Sequence, residues 1–167
     1  DSGAALAKEQ GWLNGLVYAP NSDADPSRPR DDLLKAADLV RVGLAGTLRD
    51  YPLPTHDGST KPLWQIDYKG QPAGYASQPG EVVNYAENHD NQTLFDINVF
   101  KLPRDTSQED RARVQMLAVA VTAFSQGVAY FHAGIDTLRS KSLDRNSFDS
   151  GDWFNRLDWT YQDNYFG

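Results

Sequence analysis

Cysteine is missing from all 167 residues, which excludes disulfides, thiol catalysis and cysteine-ligated zinc. That absence leaves the compartment undetermined: secreted, periplasmic and plastid locations are all compatible. Positive charge is scarce. Lys and Arg number 16 against 23 Asp and Glu, a net charge of −7, and no basic run is longer than two residues. Recognition of a phosphate backbone needs clustered Lys and Arg, so no nucleic-acid partner is expected. An acidic surface chiefly keeps a protein dissolved. No stretch of about 18 apolar residues is present, so no membrane-spanning helix is expected. The opening segment, DSGAALAKEQ, has no basic stretch followed by an apolar core and does not read as a signal peptide. It lacks an initiator Met, which leaves open whether the natural chain starts there. Histidine is sparse too. His56, His89 and His132 are scattered, without H-x-E or H-E-x-x-H spacing, so no transition-metal site is expected.

What the chain does have is aromatic surface: four Trp, eight Tyr and seven Phe. Such rings bury large areas, and their flat faces also suit flat ligands. With 40% apolar residues the composition is that of a folded chain the size of one ordinary domain.

Residues 1–30 read as loop with a short helical piece, and APNSDADPSRPR (19–30) as surface loop. In DDLLKAADLVRVGLAGTLRD (31–50), Leu33, Ala36, Ala37, Val40, Leu44 and Leu48 recur at three- and four-residue spacing, which predicts an amphipathic helix. Asp31 and Asp32 suit its positive N-terminal end. Residues 51–80, punctuated by Pro and Gly, read as a long irregular loop, and loops of that length are usually functional. EVVNYAEN (81–88) is a strand candidate and QTLFDINVFK (92–101) a short helix. RDTSQEDRARVQMLAVAVTAFSQG (104–127) is a clearer helix. Ser107 and Asp110 form the pattern of a capping box, and Gly127 stands where a helix-ending glycine belongs. Its second half, MLAVAVTAF, is apolar nearly all round and is expected to be buried. VAYFHAG (128–134) reads as a parallel strand covered on both faces. The remaining tail has no convincing period.

Strand, helix and strand in that order make a βαβ unit, hence an α/β class with parallel strands. Two strands alone cannot bury themselves, so the chain reads as a piece of something larger. The first strand runs into Asn88-His89-Asp90-Asn91. In parallel α/β folds the carboxyl ends of strands gather catalytic groups. Asn and Asp also cap helices and tolerate turns, so the residue pattern alone leaves both readings open.

Three longer stretches carry a resemblance: DYKGQPAGYASQPGEVVNY, VVNYAENHDNQTLFD and QGVAYFHAGIDTLRSKSLDRNSFDSGDWFNRLDW. They resemble the debranching branch of the α-amylase clan, and more narrowly type I pullulanases and plant-type limit dextrinases, over most of residues 30–167. That resemblance implies a partial (β/α)8 TIM barrel, with about its last two strands, their helices and long loops. Residues 1–167 would then be the C-terminal portion of a catalytic barrel, with 51–80 and 135–167 as loops on the active-site side. It implies hydrolysis of α-1,6 links in pullulan, amylopectin and limit dextrins, with retention of configuration. Asp90 would be the third catalytic carboxylate, which grips sugar hydroxyls and favours the oxocarbenium-like ring. Hydrogen bonds of that kind supply several kcal/mol. His89 would bond the same sugar, Asn91 would lie beside it, Arg145 would hold a second sugar, and Tyr68 would offer a stacking face.

The family's nucleophile Asp and acid Glu fall upstream of this chain, and a retaining glycosidase needs them about 5–5.5 Å apart. Glu87, Asp136 and Asp144 match neither role. The chain alone is therefore expected to be inactive, with the remainder of the barrel and an α-glucan as its partners. No cofactor is required by this chemistry. Calcium is compatible with the clan, but no ligand set stands out. His132 reads as a core imidazole with a satisfied hydrogen bond, and Asp152, Trp153 and Asn155 as loop scaffolding. Asp136 stands where related sequences commonly carry Glu, one methylene longer. Two alternatives stay open: a noncatalytic carbohydrate-binding module, which would be rich in short strands, and a clan member acting on α-1,4 links.

Overall fold

A computed structural model describes residues 5–167. The first four residues of the stretch read as loop lie outside the described residues. Five helices are α1 (Ala5–Lys8), α2 (Arg30–Leu44), α3 (Leu94–Lys101), α4 (Gln108–Phe124) and α5 (Asp152–Asn155). Six short strands are β1 (Pro52–Pro54), β2 (Thr60–Pro62), β3 (Asp67–Tyr68), β4 (Gln71–Pro72), β5 (Val83–Asn84) and β6 (Val128–Ala129). Two units divide the chain. One comprises Ser27–Asn84 and Val121–Tyr130; the other comprises the residues through Pro26, Tyr85–Ala120 and Phe131–Gly167.

In the first of these, α2 forms where apolar periodicity predicts a helix. Arg28 and Lys35 brace its acidic first turn through Asp32 at 2.8 Å and Asp31 at 2.7 Å. The helix stops at Leu44, short of the predicted end at 50. Gly46 (φ 70°) and Thr47 (φ 55°) turn the backbone into the left-handed region. Leu48, expected on the helix face, instead bridges to Ala76. Val42, Leu53, Leu63 and Ala73 make the core, with Leu39, Ala45 and Ile66 packed against it. Residues 51–80 are not the irregular loop that their Pro and Gly content suggested. Within that stretch, residues 52–62 and 67–72 form two antiparallel hairpins, β1–β2 and β3–β4. Pro52, Pro54, Pro62 and Pro72 are tolerated because each pair has edges free of ladder demands. The second hairpin turns on Lys69 (φ 53°) and Gly70 (φ 83°), a two-residue connection of the type that favours positive φ.

β5 and β6 pair in parallel, Val83 opposite Val128 and Asn84 opposite Ala129. Gly127 (φ 111°) lies three residues beyond the end of α4, in the turn that leads into β6, rather than directly closing the helix. A Cβ there would come within 2.9 Å of the Pro79 carbonyl, Val82 and Asn84. The two strand predictions, 81–88 and 128–134, shrink to two residues each. Neither strand is covered on both faces: Val83 is 57% exposed, and Val128, Tyr130 and Phe131 are also exposed. A parallel strand needs a neighbour on each edge and a layer on each face, and the described residues supply one neighbour. Likewise MLAVAVTAF is not fully buried. Met116 and Leu117 are exposed, and Phe124 is 79% exposed.

In the second unit, Leu94 of α3, Ala118 of α4 and Ile135 of the following 3-10 turn form the core, with Leu13, Ile97 and Val119 packed against it. The predicted capping box opens α4: Asp110 N–H donates to Ser107 Oγ at 3.1 Å, and Ser107 Oγ donates to Asp110 at 2.9 Å. A buried amide web ties the N-terminal segment to α3. Gln10 Nε2 donates to the carbonyls of Asn14 and Lys101 at 2.8 Å each, and Asn14 Nδ2 donates to Asn98 at 2.6 Å. None of the described helices is long and apolar enough to cross a membrane.

Candidate active site

Thr93 caps α3, its side chain accepting from Asp96 N–H at 3.2 Å. The turn before it is built by local side-chain bonds. Asn88 Oδ1 accepts from Asp90 N–H at 2.8 Å, the arrangement in which Asn replaces a backbone turn. Asn91 (φ 62°) takes a left-handed conformation, one that Asn tolerates better than most residues. It therefore does not start the helix, as its type suggested. Its Oδ1 accepts instead from Arg145 Nη2 at 3.3 Å. His89 Nδ1 lies 3.4 Å from Asp90 Oδ1, and both side chains are open to solvent, at 66% and 58%.

The structure thus brings His89, Asp90, Asn91 and Arg145 together on one surface of one unit. Tyr68 belongs to the other unit, in the β3–β4 hairpin. It is exposed, with Lys69 Nζ 5.7 Å from its ring centroid. Asp136 sits in a 3-10 turn, Ile135–Thr137, and is exposed.

The loop carrying Arg145 is anchored from below. Asp96 is fully buried and accepts from Ser140 Oγ at 2.5 Å and from Lys141 N–H at 2.8 Å. Lys141 Nζ donates to Ser147 Oγ at 2.7 Å. Burial and the neighbouring Arg139 charge hold the Lys141 ammonium below its ordinary pKa. Arg139 donates to the Asn155 carbonyl, and Asn155 Nδ2 donates to the carbonyls of Ser147 and Ser150 at 2.9 Å each. The stretch RSKS…DSGDWFN is therefore a scaffold of interlocked polar side chains, as its loop reading suggested for Asn155. Trp153 and Asp152 lie at its exposed edge.

One residue, Glu87, gains a role that the sequence alone did not assign. Glu87 is buried, and its carboxylate takes the Leu94 N–H and faces His132 Nδ1 at 3.0 Å. His132 has the satisfied hydrogen bond expected of it, but its partner lies 45 positions away in the sequence, and no local pattern encodes that distance. Among the described residues no three His, Cys, Asp or Glu cluster as a metal site would require.

The chain is 45% identical over 166 residues to a pullulanase of Klebsiella pneumoniae. Its similarity to pullulanases runs over nearly its whole length. A chloroplastic pullulanase of Arabidopsis thaliana is 43% identical over 162 residues. The chain spans 15% of the length of the Klebsiella relative and 17% of the Arabidopsis one, while those alignments cover 99% and 95% of the chain itself. Among solved structures, a maltotriose complex of Klebsiella pneumoniae pullulanase superposes with a TM-score of 0.94 at 44% identity, covering 99% of this chain and 18% of that one. A pullulanase from Bacillus acidopullulyticus gives a TM-score of 0.62 at 26% identity, over 96% of this chain and 15% of that chain. No family model matches the chain.

Proposed function

We propose that the chain is the C-terminal portion of a catalytic (β/α)8 barrel in a debranching glycoside hydrolase that cleaves α-1,6 links with retention of configuration. Its substrates would be pullulan, amylopectin and limit dextrins. The observation that carries this reading is the exposed His89–Asp90 pair, set on a turn beside Asn91 and Arg145. An open carboxylate next to an imidazole and a guanidinium suits the vicinal hydroxyls of a sugar, because each hydroxyl both donates and accepts. Homology to pullulanases supports the same reading.

Asp90 is assigned the transition-state role: its hydrogen bonds strengthen as the sugar ring gains positive character. His89, Asn91 and Arg145 are assigned to sugar binding, and Tyr68, in the other unit, is assigned a stacking face. The β5–β6 parallel pair is read as two neighbouring strands of the barrel, with 51–80 and 135–167 bordering the cleft. The nucleophile and the general acid are assigned to other parts of the barrel, so the 167-residue chain alone is inactive. Carboxyl groups perform every step of such a hydrolysis, so no cofactor is assigned.

The test is release of reducing sugar from pullulan by the full-length protein and by the isolated chain. The full-length protein should turn over and the isolated chain should not. In the full-length protein, Asp90→Asn should lower kcat roughly 10²–10³-fold, since several kcal/mol correspond to that range. Near-normal turnover of this variant would defeat the role given to Asp90, and turnover by the isolated chain would defeat its assignment as an incomplete site.

A further inference from the structure

We propose that Glu87 is a positioning residue that holds the His89–Asp90 turn in its working geometry; the catalytic part of this inference rests on the function proposed above. Glu87 and Leu94 stand at the two ends of the turn. The Glu87 Oε2 atom accepts the Leu94 N–H, so one side chain closes the base of the loop. Its other oxygen, Oε1, lies 3.0 Å from His132 Nδ1, which fixes that nitrogen as the protonated one. The Glu87 side chain is 2% exposed and that of His132 is 11% exposed. A buried carboxylate without partners is costly, so the two anchors fix each other.

The arrangement also completes the cap of α3. The first N–H groups of a helix have no partner inside it. Thr93 satisfies Asp96 N–H and Glu87 satisfies Leu94 N–H. A negative charge there also complements the positive end of the helix. The solvent-exposed residues of the turn have little to hold them themselves: the Asn88–Asp90 bond, the His89–Asp90 contact and the Arg145–Asn91 bond. Rigidity at Asp90 therefore comes from underneath, through Glu87. A displacement of about 1 Å at a catalytic group costs up to about 10²-fold in rate, so the link from Glu87 to Asp90 reads out in kcat.

The experiment uses the full-length protein with Glu87→Ala, Glu87→Gln and His132→Gln, measured by hydrogen–deuterium exchange of the 85–96 peptide, pullulan kinetics and thermal melting. Glu87→Ala removes both anchors. It should speed exchange across the turn and lower kcat roughly 10- to 100-fold with KM within about threefold. Glu87→Gln keeps an acceptor for Leu94 and a partner for His132, and should recover most of both effects. His132→Gln leaves the Leu94 anchor and should cost less than Glu87→Ala; it carries the test if the alanine variant fails to fold. Unchanged exchange in Glu87→Ala would overturn the proposal. Faster exchange with unchanged kcat would also overturn it, leaving the carboxylate a structural role only. Absence of pullulan hydrolysis by the unsubstituted protein would sink the functional reading instead, and the exchange data would then decide by themselves whether Glu87 sets the turn.

Discussion

Asp38 and His56 grip each other twice. His56 donates its backbone N–H to Asp38 Oδ2 at 3.0 Å, and its ring Nδ1 lies 2.6 Å from the same oxygen. The second ring nitrogen lies 3.2 Å from Asp31. A ring with a carboxylate at each nitrogen is best satisfied as imidazolium, in which both nitrogens donate. The Asp38 hydrogen bond accordingly raises the His56 pKa above its ordinary 6.5. Burial alone would push Asp38 up, but the hydrogen bonds from His56 outweigh it and hold the carboxyl below 3.8.

The first prediction is a bell-shaped stability profile for the unit built on α2 and the β1–β2 hairpin. A raised histidine contributes fully below pH 6.5 and loses its contribution as pH rises through the raised value. A depressed carboxylate contributes fully above pH 3.8 and loses its share as pH falls through the depressed value. The contact should therefore be strongest between about pH 3.8 and 6.5. Urea melts across pH 3 to 9 would measure this, and His56→Gln should flatten the alkaline limb. An alkaline limb that survives the substitution would assign it to another group.

The second prediction contrasts two glycines of that same unit. A Cβ on Gly74 would fall 2.3 Å from Leu63 Cβ and 2.7 Å from its carbonyl carbon. Leu63 is fully buried and cannot step aside, so Gly74→Ala should cost about 1–3 kcal/mol. Gly43 lies inside α2 with open space where its Cβ would go. Gly43→Ala should stabilise by roughly 0.5–1 kcal/mol. Denaturation midpoints moving in the same direction would contradict the packing described.

Asp96 supports a third. Its carboxylate satisfies a buried hydroxyl and a buried N–H from a loop 44 and 45 positions onward. Asp96→Ala strands both donors and should cost on the order of 3 kcal/mol, the sum of two charge-assisted hydrogen bonds. Double substitution with Ser140→Ala should be non-additive, because the two residues share one bond. Strict additivity in equilibrium unfolding would argue against that bond.

The fourth separates binding from folding at Arg145. Its bond to Asn91 is exposed, so Arg145→Ala should change stability by less than about 0.5 kcal/mol. If Arg145 holds a sugar, KM for pullulan should rise roughly tenfold, equivalent to about 1.4 kcal/mol. A variant with unchanged KM would reduce Arg145 to a support for the turn.

Legibility in the sequence followed the range over which each feature is encoded. The Leu33–Leu44 face repeats every three or four residues, so α2 was readable; Leu48 carried the same spacing past a break made by two positive-φ residues. The Ser107–Asp110 cap is local and was readable as well. The β1–β2 and β3–β4 hairpins were not, because strands of two or three residues leave no period to detect. Asp90 and His89 stand out by their place after a strand and by resemblance, and the structure sets them side by side on one exposed turn. Glu87 was passed over because its significance depends on His132, a contact made only by folding. The exposed Met116, Leu117 and Phe124 misled for another reason: an apolar surface predicts that something covers it, not that this chain supplies the cover.

The two-residue strands β5 and β6 have a consequence for behaviour in solution. Each has one hydrogen-bonded neighbour among the described residues, which leaves the outer edge of each as a template for pairing with another chain. The charge of −7 opposes such encounters at low ionic strength and is screened over about 8 Å at physiological salt. Colloidal stability of the isolated chain is thus electrostatic, and turbidity should rise with added sodium chloride before any loss of secondary structure.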